Sequence, residues 1–580
     1  MLTRQESVPA RAEFTRRWAV RLWPARIWLP MLLAFVATGP AWLRPAVRFV
    51  GRAEGEIRDH AWIAWLVQHR IWDGHALPLS FPDAGFPRGI ALYPLDPLNQ
   101  IALTVMTPII GLAPSLLVLT TLLLALSGIA AGRLADALGV GPTRAAAVAV
   151  VTMMGPPILG SFVDGQTEGM ASCWALFALA TLLDPAPWTG KKGVQRGLLL
   201  GLQGAALIAS APYQAHAWTL AGGLLIVGLI VRKRLPLRSL VSLAVLVPVG
   251  LVCGSALQGA ESGRNGQLTA RTRSGDWPPR TMAISASLPP IQPQLGVTPT
   301  TVNPWPREAR FLPPTTGPRR WSGYALPALA LFAGGWSLRK RGFRPAAVWA
   351  LIGGAGIYAA IAAGSARDFG SSTPFPFDLW YRHYPLGSIA WKPQQYAVPA
   401  WQLASVAIGF LPVPVAIGAA LLIALEVQLS SPVRLPLPAL QFEPQRWMTE
   451  LQEGAAGAVL EFPARARAQQ GAGRMPYDEL LAQTVHEQPI GDPFGRGENA
   501  IYQNARDSLG RAAGWRVPPR APNVATALSV VAHAGFKTLV VHAEGMTAAE
   551  EQGVIAAVVP LLGEPREVDG VWVWSLAPMQ

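Results

Sequence analysis

Charge is what this sequence has least of. Only 14% of its 580 residues are Asp, Glu, Lys or Arg, against roughly 25% in a soluble globular domain. Acids are the scarcer half, with 34 Asp and Glu against 48 Lys and Arg. They are also unevenly spread, since 18 of the 34 fall in the first 434 residues and 16 in the last 146. A water-facing surface over the first three quarters is thereby excluded, and most of the chain is expected to be dissolved in lipid. Cysteine is nearly missing too: Cys173 and Cys253 are the only two, which excludes a disulfide framework. Both lie in apolar runs, where a thiol behaves as a small inert hydrophobe. No P-loop, nucleophile elbow, zinc-ligand spacing or dinucleotide fingerprint occurs, which argues against an ATP-driven pump or an enzyme of soluble type.

What is present is net charge of +14, and the placement of the basic residues decides its meaning. Arg4, Arg11, Arg16, Arg17, Arg21 and Arg26 precede the first apolar run, while Lys191, Lys192 and Arg196, then Arg232, Lys233 and Arg234, then Arg339, Lys340 and Arg341 fill short later loops. Such loops are retained on the cytoplasmic side. With no basic stripe interleaved with aromatics, nucleic acid is not an expected partner; the lipid bilayer is.

Apolar runs near 27–43, 113–132, 145–162, 169–184, 197–212, 215–231, 239–258, 321–338 and 346–364 read as spans. The first lacks a small-residue cleavage site and is followed by many others, so it reads as a retained anchor behind a basic cytoplasmic segment, 1–26. A last stretch, 398–427, contains Pro412 and Pro414 and is either one kinked helix or two short ones. Two would make about eleven transmembrane helices and put the C-terminus outside. The expected fold class is an α-helical polytopic membrane domain over 27–428, with outer loops 44–112, 259–320 and 365–397, followed by a small α/β domain over 435–580. Within that domain Ala458–Phe462 and Thr538–His542 read as strands, Met475–His486 and Thr547–Leu562 as helices, and Asp569-Gly570 as the turn of a terminal hairpin. Inside the first outer loop, Ile57, Ala61, Ala64, Trp65, Gln68 and Trp72 recur at helical spacing, and the reading is an amphipathic helix lying in the membrane interface, anchored by tryptophans.

Six of the 18 acids of the membrane part sit in that loop, and an ionisable group kept beside a bilayer needs a reason. Glu56 and Asp59 are three apart, so share a helix face, with His60 adjacent. Asp59 could act as general base or metal ligand, or simply cap the helix or pair with Arg58 or Arg52. Asp164-Gly-Gln-Thr-Glu168 places two carboxylates four apart in the second outer loop; they could hold a metal, or start a turn and favour a helix N-terminus. Arg382 and Lys392 in the last outer loop could bind an anionic phosphate or remain solvated. Tyr213-Gln-Ala-His216 reads as part of an aromatic belt at a span end.

The order of these pieces resembles the GT-C class of polytopic glycosyltransferases, in its bacterial branch with a C-terminal extracytoplasmic domain. The likeness rests on a basic N-terminus, one span, and a large loop with Arg58-Asp-His-Ala-Trp-Ile-Ala-Trp65, Asp73-Gly-His-Ala-Leu-Pro78, Phe86-Pro-Arg-Gly89 and Tyr93-Pro94. It continues through Asp164–Glu168 and, in the tail, Ala458–Pro463, Gln483–Ile490 and Gly535–His542. The resemblance implies a bacterial inner-membrane enzyme that takes a sugar from a polyprenyl-phosphate carrier and transfers it to a cell-envelope glycan, lipid or protein on the outer face. It also implies Asp59 as the catalytic aspartate, acting as base on the acceptor hydroxyl or as metal ligand; Glu56, His60, Arg382 and Lys392 are expected toward substrate from their position and charge alone. Asp164 and Glu168 would match second-loop acids that help hold the acceptor or, with Asp59, a divalent cation, Mg or Mn. The competing function is a non-catalytic relative or a transporter of envelope lipids or polysaccharides, although no internal repeat of the kind transporters carry is visible.

Overall fold

The computed structural model describes residues 25–52, 57–76, 81–87, 96–163, 167–184, 188–211, 214–218, 241–264, 324–339, 343–362, 396–431, 437–454, 457–463, 479–491, 500–515, 519–543 and 546–577, with a few isolated positions besides. Its helices of eight residues or more are, in chain order, α1 (Ala25–Ala37), α2 (Ile57–Trp72), α3 (Pro97–Ile110), α4 (Leu112–Ala137), α5 (Pro142–Met153), α6 (Pro156–Val163), α7 (Cys173–Leu183), α8 (Gly190–Ser210) and α9 (Leu243–Arg264). They continue as α10 (Ala325–Ser337), α11 (Phe343–Ala362), α12 (Ala397–Ile408), α13 (Val413–Ser430), α14 (Arg446–Glu453), α15 (Glu479–His486), α16 (Ala500–Ala512), α17 (Val524–His533) and α18 (Ala548–Leu562). The strands are β1 (Arg48–Val50), β2 (Ala439–Gln441), β3 (Ala458–Phe462), β4 (Phe536–His542), β5 (Arg566–Val568) and β6 (Val571–Ser575). The chain divides into two compact units: one of residues 1–55, 95–102 and 114–440, the other of 56–94, 103–113 and 441–580.

The first unit is a bundle of apolar helices. Eleven spans were expected; among the described residues two helices, Leu112–Ala137 and Pro345–Ala362, are long and apolar enough to cross a bilayer, or three if α5 and α6, bent by 48°, count as one. Several other expected spans, including Cys173–Leu183, Ala325–Ser337 and Ala397–Ile408, form apolar helices of 10–17 residues. At about 1.5 Å per residue these reach ~15–26 Å, short of a ~30 Å hydrocarbon core. Proline supplies one cause: 398–427 is interrupted, with α12 ending at Ile408 and α13 starting behind Pro412. The expected span 215–231 falls mostly outside the described residues. Trp28, Leu32 and Phe35 on α1, Leu251 and Val252 on α9, and Leu421 and Leu425 on α13 point outward, faces that water penalises and lipid tails do not. Glu426, an acid inside apolar α13, is spent on structure: its two carboxylate oxygens accept the backbone N–H groups of Tyr324 and Ala325 at 2.7 and 3.0 Å, capping α10.

α12 is buried throughout from Trp401 to Ile408 and mostly apolar, with Gln402 and Ser405 as its buried polar side chains. It packs on α5, α10 and α11. The bend between α5 and α6 leaves the Val151 carbonyl without its usual helical donor, because the Gly155 N–H turns to Thr152 O instead. Trp401 Nε1 donates to that carbonyl at 3.0 Å. A Cβ at Gly155 would overlap the Trp401 indole. Gly155→Val is therefore expected to lower stability by about 1–3 kcal/mol through overpacking, read as a fall in Tm of the purified protein in detergent. Gly353→Ala in α11, where a Cβ meets open space, is the matched control and should leave Tm nearly unchanged.

The second unit holds a four-stranded sheet of order β3-β4-β6-β5. β3 and β4 run parallel, and β4–β6 and β6–β5 are antiparallel. Asp569 and Gly570 both take positive φ, 52° and 76°, the backbone that a two-residue hairpin turn requires. Alternation sends Leu460, Phe462, Leu539 and Val541 to the face covered by α16, α17 and α18. Val459 and Val540 face the other way, toward Trp447, Met448 and Ala482 of α14 and α15.

The sequence expectation for Ile57–Trp72 is met in its bounds and corrected in its setting. The helix is not laid out in an interface: Trp62, Trp65, Leu66 and Val67 are buried against Phe81, Ala84, Leu480 and Ile490. Trp62 Nε1 donates to Gln483 Oε1 at 2.7 Å, and Gln483 Nε2 donates to the Asp83 and Gln488 carbonyls at 2.7 and 3.1 Å. Buried tryptophans need an acceptor for the indole N–H, and one buried glutamine on α15 supplies it while tying 81–86 to 488–490. The first-loop residues 56–94 thus join the sheet-bearing unit.

Candidate functional site

The chain leaving α1 is tied down before the first acidic cluster begins. In the bundle unit, Gly51 N–H donates to Pro438 O at 2.9 Å and Arg52 N–H to Val163 O at 3.0 Å. Val163 is the last residue of α6, and Asp164–Glu168 follow it directly. The backbone at the start of the first outer loop therefore lies against the backbone at the start of the second, an apposition that no sequence spacing showed.

Of the sequence candidates, Asp59 and His60 have described side chains. Asp59 sits in the first turn of α2, where a negative charge suits the helix N-terminus, and remains half-exposed while Arg58 and His60 on either side are buried. Glu56, Asp164, Arg382 and Lys392 lie outside the described residues, as does the side chain of Glu168. Other first-loop acids are committed to local structure. Asp73 pairs with His69 one turn back at 2.8 Å, and buried Asp96 accepts from Gln100 Nε2 at 3.0 Å and Asn99 Nδ2 at 3.4 Å at the start of α3. Among the described residues no three His, Cys, Asp or Glu come together in a way that could hold a metal ion.

Below the second loop the bundle presents polar groups on α12. Gln402 Nε2 donates to Ser172 Oγ at 2.9 Å, both residues fully buried, while Gln402 Oε1 has no hydrogen-bond partner. Tyr396, the residue before α12, places its hydroxyl 3.2 Å from His216 Nδ1. Its ring lies beside Tyr358, whose hydroxyl donates to Ala217 O at 2.7 Å, and Trp218 closes the row. Composition marked His216 only as part of a belt; its apposition with a tyrosine 180 residues away belongs to the tertiary structure.

One ionisable cluster escaped sequence reasoning altogether. Glu461 on β3 is 1% exposed, His542 on β4 2% and His486 at the end of α15 0%. His542 Nε2 lies 3.2 Å from Glu461 Oε2 and His486 Nε2 lies 3.7 Å from Oε1. Because Gln488 N–H donates to His486 Nδ1 at 3.0 Å, the neutral form of that ring carries its proton on Nε2, facing the carboxylate. The Trp447 ring packs on both imidazoles. Burial by itself opposes ionisation of Glu461, but the 3.2 Å hydrogen bond with His542 and the charge of the two facing histidines outweigh it and hold the carboxyl at about 2. Sealed from solvent, this cluster can order the domain but cannot meet a substrate. Its only signal in the sequence was a glutamate inside an apolar strand.

No family model and no curated protein matches the sequence. Solved structures do match the fold. The arabinofuranosyltransferase AftD from Mycobacteria superposes with a TM-score of 0.51 at 15% identity, over 97% of this chain and 40% of that one. The oligosaccharyltransferase of Archaeoglobus fulgidus, tethered to an acceptor peptide containing the NVT sequon, does so with a TM-score of 0.51 at 13% identity, over 95% of this chain and 72% of that one. The chain thus spans less than half the length of AftD. Its fold is GT-C-like, as the layout of the sequence implied, and identities this low carry the likeness no further than fold.

Proposed function

We propose that this protein is a membrane glycosyltransferase that moves a sugar from a polyprenyl-phosphate carrier to a cell-envelope acceptor, working at the outer face of a bacterial inner membrane. The observation that carries the reading is the GT-C-like fold together with the backbone tie between Arg52 and Val163, which joins the starts of the two acid-bearing loops. In this scheme the Asp59 carboxylate takes the proton from an acceptor hydroxyl. The oxygen attacks the anomeric carbon from the face opposite the phosphate, the carbon–oxygen bond to the phosphate breaks with inversion, and the lipid phosphate leaves with the electron pair. Arg382 and Lys392 supply the positive charge for that leaving group. Aromatic rings beside a few fixed polar groups, as around Tyr396 and His216, suit a sugar.

Protein reconstituted in liposomes with radiolabelled polyprenyl-phosphate hexoses and pentoses, plus an envelope extract as acceptor, should release lipid phosphate in proportion to protein added. Donor that binds but yields neither lipid phosphate nor labelled acceptor in any combination would overturn the enzyme reading in favour of a lipid-binding or transporting relative.

A further inference from the structure

The helix that carries Asp59 is fastened to the C-terminal part of the chain, within one compact unit, and the fastening runs through a single amide. We propose that Gln483 on α15 is a positioning residue: given Asp59 as the base of the proposed transfer, it fixes the rotation of α2 through the Trp62 indole and so sets where the carboxylate meets the acceptor. Gln483 is fully buried and its amide is used in full. Oε1 accepts Trp62 Nε1–H at 2.7 Å, while Nε2 donates to Asp83 O at 2.7 Å and Gln488 O at 3.1 Å. One side chain thereby joins α2, the loop that follows α2 and the turn that follows α15. A short ladder keeps that turn in place. Phe86 N–H donates to Ile490 O and Ile490 N–H to Asp83 O, both at 3.0 Å, and Val459 N–H of β3 donates to Pro489 O at 2.8 Å, so the loop is referred to the sheet itself. The Phe86 ring closes the join edge-on against Phe536, with centroids 5.3 Å apart.

Burial of Trp62, Trp65, Leu66 and Val67 holds α2 in place, but apolar burial is non-directional and leaves a helix some freedom to turn about its axis. A hydrogen bond of 2.7 Å is directional and removes that freedom at one point. Asp59 and Trp62 are three residues apart on α2, neighbours on one side of the helix, so whatever turns the indole turns the carboxylate. Side-chain ends lie about 5–6 Å from a helix axis, and a rotation of about 10° therefore moves the carboxylate by about 1 Å. A misplacement of about 1 Å can lower a rate about 10²-fold. Stability asks only that the indole N–H find an acceptor; rate asks that the acceptor stand in a fixed place.

The test compares full-length wild type, Gln483→Met and Gln483→Glu in proteoliposomes, each also combined with Asp59→Asn, with Tm and amide hydrogen exchange measured on the same proteins. Gln483→Met keeps the length of the side chain and loses all three bonds. Gln483→Glu, protonated when buried, still accepts from Trp62 and donates to one carbonyl. Both should lower Tm, but only Gln483→Met should lower kcat, by at least about tenfold, with KM for the donor within about twofold of wild type. In the Asp59→Asn background the same change should alter the residual rate by less than about twofold, as expected of a residue that acts through Asp59. Exchange should quicken at least about tenfold over 57–65 and less than about twofold in β4. Should Gln483→Met not fold, Trp62→Phe removes the same bond from the other side and carries the same expectation. A kcat within about twofold of wild type in these variants, equal quickening of exchange in α2 and β4, or a loss that is as large in Asp59→Asn would overturn the proposal and leave the transfer reading standing. Full activity in Asp59→Asn alone would instead overturn the reading of Asp59, and the positioning role with it.

Discussion

Asp59→Asn is expected to reduce sugar transfer by at least about 10²-fold, the lower bound for loss of a positioned general base, with no fall in the amount of protein in membranes. The amide has the shape of the carboxylate and can sit in the first turn of α2, so the helix should persist; what it cannot do is accept the hydroxyl proton. Asp59 lies half-exposed in the first turn of α2, while Asp73 pairs with His69 and Asp96 accepts from Gln100 and Asn99. The assay compares wild type, Asp59→Asn and Asp73→Asn in proteoliposomes, with donor binding measured separately. Loss confined to Asp59→Asn, with donor binding retained, is the expected pattern. Full activity in Asp59→Asn would remove this residue from the chemistry.

Removing Glu461 should have the largest effect on stability. Glu461→Ala removes the buried carboxylate that His542 Nε2 meets at 3.2 Å and His486 Nε2 faces at 3.7 Å, and breaking a buried pair from one side costs about 3–5 kcal/mol. Full-length Glu461→Ala is therefore expected to show a clear fall in Tm, and Glu461→Gln a smaller one, because an amide still accepts a hydrogen bond but carries no charge. The pH dependence follows from the direction of the shift. The folded-state carboxyl titrates at about 2, below the roughly 4.3 of an unfolded glutamate, so its contribution is complete above about pH 5 and is lost as pH falls from there toward 2. Melting curves between pH 7 and pH 3 should show this loss in wild type and a flatter response in Glu461→Gln. Equal pH dependence in the two would show that the carboxylate is not the group responsible.

Local elements were largely legible because their signals are local. The period of Ile57, Ala61, Ala64 and Trp65 gives the helix Ile57–Trp72 with its bounds. β3 is Ala458–Phe462 as read, the hairpin turns at Asp569-Gly570, and α18 starts behind Thr547, whose side chain and Glu550 form a reciprocal capping box. By contrast α14, α16 and α17 were not anticipated: α14 and α16 are short amphipathic helices whose polar faces hide the period in a composition-level reading, and α17 is a short apolar helix of ten residues. Some spans, such as 169–184 and 321–338, were read as longer than their helices, since apolar runs continue through residues that end a helix without interrupting hydropathy, while 113–132 belongs to the longer helix Leu112–Ala137.

By itself the sequence determined that charge is sparse, that acids are thin over the first 434 residues, and that apolar runs alternate with short basic loops; the likeness to a GT-C fold rested on motifs and layout. Composition and period are additive along a chain. Only the tertiary structure decided what the marked residues touch: that Trp62 meets Gln483 rather than a membrane surface, that Arg52 lies against Val163, and that Glu461 is shared by two histidines. Such contacts join residues up to 421 positions apart, and nothing in their separation along the chain encodes them; they exist because buried indole, amide and carboxyl groups must find partners once water is excluded.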